Sequence, residues 1–310
     1  VEAPLSLDAE LLNKALAVPH QPIYLPQCHA AGVRVWLRRD DQLPGGNKYY
    51  KLYFNLKAAG AQGKQALVSF GGPHSNHLHA LALACHRAGL HGRVLVRGYP
   101  SYADSPTITD VKNAGLSVEF VGHSEYRRLS QPGAYTGSPH EYVIPEGGAN
   151  ELGARGAEYI GHAVQQHFGG RARHLIMAAG TGSTLGGVAR ALRHSATQAL
   201  GISVLKGAAS ASVWPAAADY GANWRMLWGF AGKGYGRALS PPMLSFWQAF
   251  EHNNSIAIDP IYTLKMLWGI ERLAALGYWR RGEQLVAVHT GGLQGRRAFA
   301  QRPAQATVAQ

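Results

Sequence analysis

Short apolar runs recur along this chain at 66–70, 93–97, 116–121, 141–144, 174–179, 201–205 and 284–289, most of them closed by Gly, Pro or a small polar residue. Between them, apolar residues return at helical spacing over Asn76–Ala88, Asp110–Ala114 and Ala154–Phe168, and each stretch stops directly before a glycine (Gly89, Gly115, Gly169). Glycine after the last periodic residue is a C-terminal helix stop. The longest late helix is expected over Pro260–Leu276, with the proline in its first turn and Gly277 as its stop. Strands alternating with helices imply βαβ units, parallel sheets covered on both faces, and ligands at the carboxyl ends of the strands. The expected fold class is therefore α/β, with open, twisted, mostly parallel sheets and helices on both faces. At 310 residues, 46% apolar and only 15% charged, the chain can bury such sheets and is long enough for two lobes. The turn-rich stretch Gln131–Pro139 is the expected mobile loop.

The formal charge of +12 raises a nucleic-acid reading. Yet the densest basic groups are the pairs Arg127-Arg128, Arg280-Arg281 and Arg296-Arg297, with no basic stripe interleaved with aromatics, so no nucleic-acid partner is expected. A basic surface that attracts anionic substrates accounts for the excess. Cys28 and Cys85 lie far apart and form no CxxC pattern, which argues for a reducing compartment and against a disulfide framework or a metal site. Cys85 continues the helical stripe Leu78, Leu81, Ala82 and reads as core. No segment approaches the ~20 apolar residues of a membrane span, and the first residues lack a basic-then-apolar signal pattern. The expectation is a cytoplasmic protein without a membrane partner.

Three loops carry the chemistry. Gly45-Gly46-Asn47-Lys48 leads into a helix on which Lys48 and Lys51, three apart, share a face. Gly71-Gly72-Pro73-His74-Ser75-Asn76-His77 closes an apolar run and opens a helix, where exposed N–H groups favour a substrate carboxylate. A plain helix cap at Ser75 reads the same residues without a ligand. Gly180-Thr181-Gly182-Ser183-Thr184 forms a second strand-to-glycine junction. A dinucleotide site fails there, because Leu185 stands where the third glycine belongs and the next strand ends at Lys206 instead of an acid. A P-loop fails for want of Lys-Ser/Thr at the required spacing. What remains is a small-phosphate cradle or a tight turn, and three hydroxyls exceed what a turn requires. A lysine amine, a Ser-Asn loop and a phosphate cradle are the needs of pyridoxal phosphate chemistry, in which the amine binds the aldehyde and the ring withdraws electrons. Only one lysine can hold the aldehyde; the other can reach the phosphate.

The segments Gly45–Leu52, Ser75-Asn76, Pro145–Asn150, Gly180–Thr184, Asp259-Pro260-Ile261-Tyr262 and His289-Thr290-Gly291-Gly292 follow one another across most of the chain. Together they resemble the 1-aminocyclopropane-1-carboxylate (ACC) deaminase/D-cysteine desulfhydrase family of fold-type-II, tryptophan-synthase-β-like pyridoxal phosphate enzymes. The resemblance implies two domains: a larger cofactor-binding one from 1–50 and 152–310, and a smaller α/β one from 51–151. It implies that Lys48 holds the cofactor with Lys51 in support, and that Asn76 bonds the pyridoxal 3′-oxygen. Ser75 would face the reacting carbon, and His77 would share substrate binding with Ser75 and Asn76. Gly180, Thr181, Gly182, Ser183 and Thr184 would hold the phosphate, Tyr262 would lie against the ring, Thr290 would meet the pyridine nitrogen, and Tyr235 would be the second active-site tyrosine. A homodimer acting on a small amino acid is implied as well.

Two departures separate the branches. ACC deaminases carry Glu directly after the DP-x-Tyr tyrosine and Gln after Ser-Asn, where this chain has Thr263 and His77. A hydroxyl at the pyridine nitrogen leaves it largely neutral. That suffices where charge at Cα is relieved at once by a departing β-group, but not for opening a cyclopropane. β-Elimination from D-cysteine, giving pyruvate, sulfide and ammonia, is the expected activity; the alternative is ACC to 2-oxobutyrate and ammonia.

Overall fold

The computed structural model describes residues 7–180, 182–206, 221–234 and 237–300. Among the described residues ten strands are formed: β1 (His20–Ile23), β2 (Arg34–Arg38), β3 (Ala66–Gly71), β4 (His91–Arg97), β5 (Ser117–Val121), β6 (Glu141–Ile144), β7 (His174–Ala179), β8 (Gln198–Ser203), β9 (Trp224–Leu227) and β10 (Gln284–Val288). The helices are α1 (Ala9–Leu16), α2 (Pro26–Ala30), α3 (Lys48–Ala61), α4 (Asn76–Ala88), α5 (Pro106–Asn113), α6 (His123–Leu129), α7 (Glu151–Phe168), α8 (Ser183–Ala191), α9 (Pro241–Asn254), α10 (Thr263–Ala275) and α11 (Gly295–Ala300).

The strands build two sheets, ordered β1-β2-β10-β7-β8-β9 and β5-β4-β3-β6. The smaller sheet is parallel throughout, and in the larger one only the β1/β2 pair is antiparallel. Central strands buried on both faces read as continuous apolar runs, which is why β3, β7 and β10 stand out in the sequence. The larger sheet packs α1, α3, α7 and α8 on one face, around Tyr159, Val164, Met177 and Val188. It packs α2, α9 and α10 on the other, around Ile176, Phe250, Leu267 and Ile270. In the smaller sheet Leu67, Val94 and Val96 meet α4 and α5, while Val68, Phe70 and Leu95 meet Tyr126 of α6.

Every apolar run is a strand, with β8 displaced three residues upstream of the predicted start at its N-terminal end. Three strands escaped the pattern. β1 contains Pro22 and β9 contains Arg225, both at sheet edges, and β2 is bounded by Arg34 and Arg38. Charge and proline hide edge strands from an apolar scan. Helix α4 spans the predicted residues, and Gly89 and Gly169 supply the left-handed caps of α4 and α7. The late helix begins at Thr263 rather than Pro260. Asp259 accepts from the amides of Ile261 (3.0 Å), Tyr262 (2.6 Å) and Thr263 (2.9 Å), and this carboxylate cap sets the first turn after the proline. The 131–139 stretch is irregular, and Tyr135 packs edge-on to Phe70 at 5.6 Å. Among the described residues, no helix is long and apolar enough to cross a membrane.

The parallel arrangement brings carboxyl ends of both sheets to one cleft. β3 runs into Gly72–Ser75, β4 ends at Arg97, β6 leads to Glu146, β7 to Gly180, β8 to Leu205-Lys206 and β10 to Thr290, and a cavity of about 330 Å³ is lined by residues from all six.

Candidate active site

Lys48 opens α3 and lines this cavity, and its Nζ donates to Asn47 Oδ1 at 3.3 Å. Burial pulls its pKa down to about 8, with Asp259 opposing the shift. About one in ten of its amines is therefore neutral and nucleophilic at pH 7, far more than for an ordinary lysine. The turn before it is held by Gly46, at φ +63°, where a Cβ would lie 2.2 Å from the Thr290 carbonyl. That carbonyl accepts from Asn47 N–H at 3.1 Å, so the lysine turn and the turn after β10 are fastened backbone to backbone.

Lys51 is buried behind the wall, where Nζ donates to Ser183 Oγ at 2.5 Å. Its pKa falls well below the ordinary lysine range through burial and the neighbouring Lys48 charge. Gly180, Gly182 and Thr184 line the cavity, Ser183 starts α8 just behind them, and Thr181 lies outside the described residues. Gly182 has φ +83°, a conformation that costs a side-chain-bearing residue about 1–2 kcal/mol. Beyond it, the N–H groups of Thr184 and Leu185 have no acceptor among the described residues. Free helix-start donors, a glycine turn without side chains and a buried lysine below them fit a phosphate.

On the opposite side, Ser75, Asn76 and His77 line the cavity at the start of α4. Ser75 is the helix cap, accepting from Leu78 N–H at 3.3 Å. The N–H groups of Asn76 and His77 remain without acceptors among the described residues. Gln294 Nε2 donates to Asn76 Oδ1 at 2.7 Å, leaving Nδ2 as the donor end of that amide. The hydroxyl of Ser69 donates to the Ile144 carbonyl at 2.7 Å and so accepts from His77 Nε2 at 2.8 Å. His77 is thereby fixed as the Nε2–H tautomer. Burial and the Lys51 and Lys48 charges hold its pKa well below the ordinary range, so it is neutral.

Tyr262 and Thr290 line the cavity, and Tyr262 Cε1 would lie 3.5 Å from a Cβ on Gly180. Thr290 is placed by buried His289, whose Nδ1 accepts from Gly291 N–H at 3.2 Å and whose Nε2 donates to the Ala257 carbonyl at 2.9 Å. Thr263 does not line the cavity. It is fully buried, with its hydroxyl 3.4 Å from His289 Nδ1, so this side chain acts on the site only through His289. Tyr235 lies outside the described residues. The buried Lys265 nearby donates to the carbonyls of Gly234 (2.8 Å) and Val204 (3.4 Å), tying the chain before Tyr235 to the end of β8.

Sequence reasoning missed Ser69, Gln294, Lys265 and the wall residue Arg97. Ser69 and Arg97 sit inside apolar runs, where a polar residue amid strand residues was the signal. Gln294 and Lys265 carry no signal short of the tertiary contact.

A family model described as pyridoxal-phosphate dependent enzyme matches residues 19–291. A putative 1-aminocyclopropane-1-carboxylate deaminase of Pyrococcus horikoshii is 27% identical over 296 residues, covering 88% of this chain and 89% of the relative. The bifunctional D-cysteine desulfhydrase/1-aminocyclopropane-1-carboxylate deaminase, mitochondrial, of Arabidopsis thaliana is 26% identical over 306 residues, covering 85% of this chain and 73% of the relative. The crystal structure of an ACC deaminase homologue superposes with a TM-score of 0.77 at 22% identity, covering 95% of this chain and 99% of that one.

Proposed function

Because this chain belongs to the pyridoxal-phosphate dependent enzymes, we propose that it is a lyase eliminating a β-substituent from a small amino acid, with D-cysteine, giving pyruvate, sulfide and ammonia, as the leading substrate. One observation carries the reading: a lysine amine with its pKa drawn to about 8 shares a cavity of about 330 Å³ with a glycine-bounded helix start on one side and a Ser-Asn-His helix start on the other. The cofactor supplies an aldehyde that captures the substrate amine and a ring that withdraws electrons from Cα.

The protein supplies the rest. Lys48 holds the cofactor and, once its amine is free, takes the Cα proton; a base whose pKa lies near the operating pH is suited to that task. Gly180–Thr184 would receive the phosphate, with Lys51 behind Ser183. The amides of Asn76 and His77 would receive the substrate carboxylate, Ser75 would face the reacting carbon, and Asn76 Nδ2 would donate to the 3′-oxygen. Tyr262 would lie against the ring, Tyr235 would be the second tyrosine, and Thr290 would offer its hydroxyl to the pyridine nitrogen. A hydroxyl gives that nitrogen no counter-charge, which favours substrates with a good leaving group. We also propose a cytoplasmic homodimer with a larger domain from 1–50 and 152–310 and a smaller one from 51–151; the free, buried Cys28 and Cys85 suit a reducing compartment.

ACC ring opening is the second reading, since the Arabidopsis relative bears both activities in its name. The test is pyruvate formation from D-cysteine against 2-oxobutyrate formation from ACC. D-cysteine is expected to be faster by tenfold or more, and a faster reaction with ACC overturns the proposal.

A further inference from the structure

Asn76 stands between two spaces. On one side is the cavity of Lys48, and on the other a second cavity of about 210 Å³ bordered by Gly45, Gly46, His79, Leu293 and Gln294. Gly292 lies directly against the amide, where a Cβ would come within 2.2 Å of Nδ2, so no side chain at that position wedges it. The two ends of an asparagine amide have nearly the same shape and opposite polarity, and only a polar partner chooses between them. Gln294 makes that choice, its Nε2 donating to Oδ1 at 2.7 Å.

Gln294 is held in turn by Arg297. The Arg297 Nε donates to the Gln294 carbonyl at 3.4 Å, while Nη1 and Nη2 grip both oxygens of Asp110 on α5, the first at 3.1 Å. Asp110 Oδ2 also lies 3.3 Å from Nε2 of His79, three residues beyond Asn76 on α4. Burial holds His79 below the ordinary histidine range, so at neutral pH it donates as an uncharged imidazole. The contacts close a ring: Asn76, Gln294, Arg297, Asp110, His79, and back along α4 to Asn76. The adjacent Arg296 binds elsewhere, to Glu251 of α9 and to the Ile258 carbonyl at 2.8 Å. The basic pair Arg296-Arg297 thereby ties α11 to a helix on the larger sheet and to helices on the smaller one.

We infer, resting on the cofactor site of the lyase reading, that Gln294 is a positioning residue, and that the ring through Arg297, Asp110 and His79 keeps Asn76 turned with its donor end toward the cofactor's 3′-oxygen. A donor at that oxygen favours its ionised form. Without Gln294 the amide is free to turn its own oxygen toward the same place, and the ionised form loses support.

The test is spectroscopic and needs no substrate. Wild type, Gln294→Leu, Asn76→Ala and the double variant are loaded with pyridoxal phosphate, and the pH midpoint at which the lysine-bound cofactor changes its absorption band is measured. Gln294→Leu should raise the midpoint by about half a pH unit or more. Gln294→Glu, of nearly the same shape but able only to accept, guards against a folding defect and should raise it further. Asn76→Ala should raise it as well, and in that background Gln294→Leu should add nothing, because its effect passes through the amide. Arg297→Met should reproduce part of the Gln294→Leu shift. A purely structural Gln294 would lower the melting temperature without moving the midpoint, or would move it equally in both backgrounds. Either result, or a wild-type midpoint in Arg297→Met, overturns the inference. Pyruvate formation from D-cysteine is assayed separately; its absence removes the lyase reading and leaves the midpoints to decide the role of Gln294.

Discussion

The depressed pKa of Lys48 makes a quantitative prediction about cofactor capture by the apoenzyme. An ordinary lysine titrates near 10.5, whereas burial brings Lys48 to about 8. Only the neutral amine attacks the aldehyde, so the rate of attachment should rise with pH and level off once the amine is deprotonated. At pH 7 the neutral fraction is about one in ten at the depressed value and about one in three thousand at the ordinary one, roughly a 300-fold advantage. The shape of the profile is more telling than the absolute rate. Between pH 6 and 8 the rate should climb about 50-fold, and between pH 8 and 10 only about twofold, whereas an unshifted lysine would gain nearly as much in the second interval as in the first. Stopped-flow mixing of apoenzyme with pyridoxal phosphate, following the band of the lysine-bound cofactor, measures the profile. Asp259 opposes the shift, so Asp259→Asn should move the midpoint lower. A rate still climbing steeply at pH 10 would refute the burial argument, and a band persisting in Lys48→Ala would move the attachment to Lys51.

Further outcomes follow from the same geometry. Gly182→Val places a β-branched residue at φ +83° within the turn proposed for the phosphate, and should weaken cofactor retention more than about tenfold, measured by dialysis and absorbance, with a much smaller change in melting temperature. Thr263→Glu puts a carboxylate at a fully buried position against His289 and off the cavity wall, so it should cost about 2 kcal/mol or more in urea unfolding without conferring ACC turnover. The Arg38 Nε–Asp40 Oδ1 pair, at 2.9 Å, is fully buried and shares Tyr50, so Arg38→Met should destabilise by about 3–5 kcal/mol by stranding Asp40, and adding Asp40→Leu should recover much of it.

The sequence alone determined the fold class and marked out the three loops whose residues line one cavity, because those features are local. A strand buried on both faces must be continuously apolar, a helix end prefers glycine, and a tight strand-to-helix turn needs small residues. Each leaves its mark within a few positions, as at β3, β7, α4 and Gly180–Gly182. Lys48 was legible for the same reason, as a lysine standing between a glycine turn and an apolar helix. What only the tertiary structure decided is which residues face one another. Edge strands β1 and β9 gain their place from a neighbour's hydrogen bonds, not from their own hydropathy. Thr263 directly follows a cavity residue, yet the cap of Asp259 turns it toward His289 and out of the site. Arg97 and Ser69 lie close together in the sequence range of the small sheet, and pleat and register send one to the wall and the other under His77. Through-space partners such as Gln294 on Asn76, 218 positions away, leave no periodic trace. Their energy comes from a contact that exists only once both sheets have brought their carboxyl ends to the same cleft.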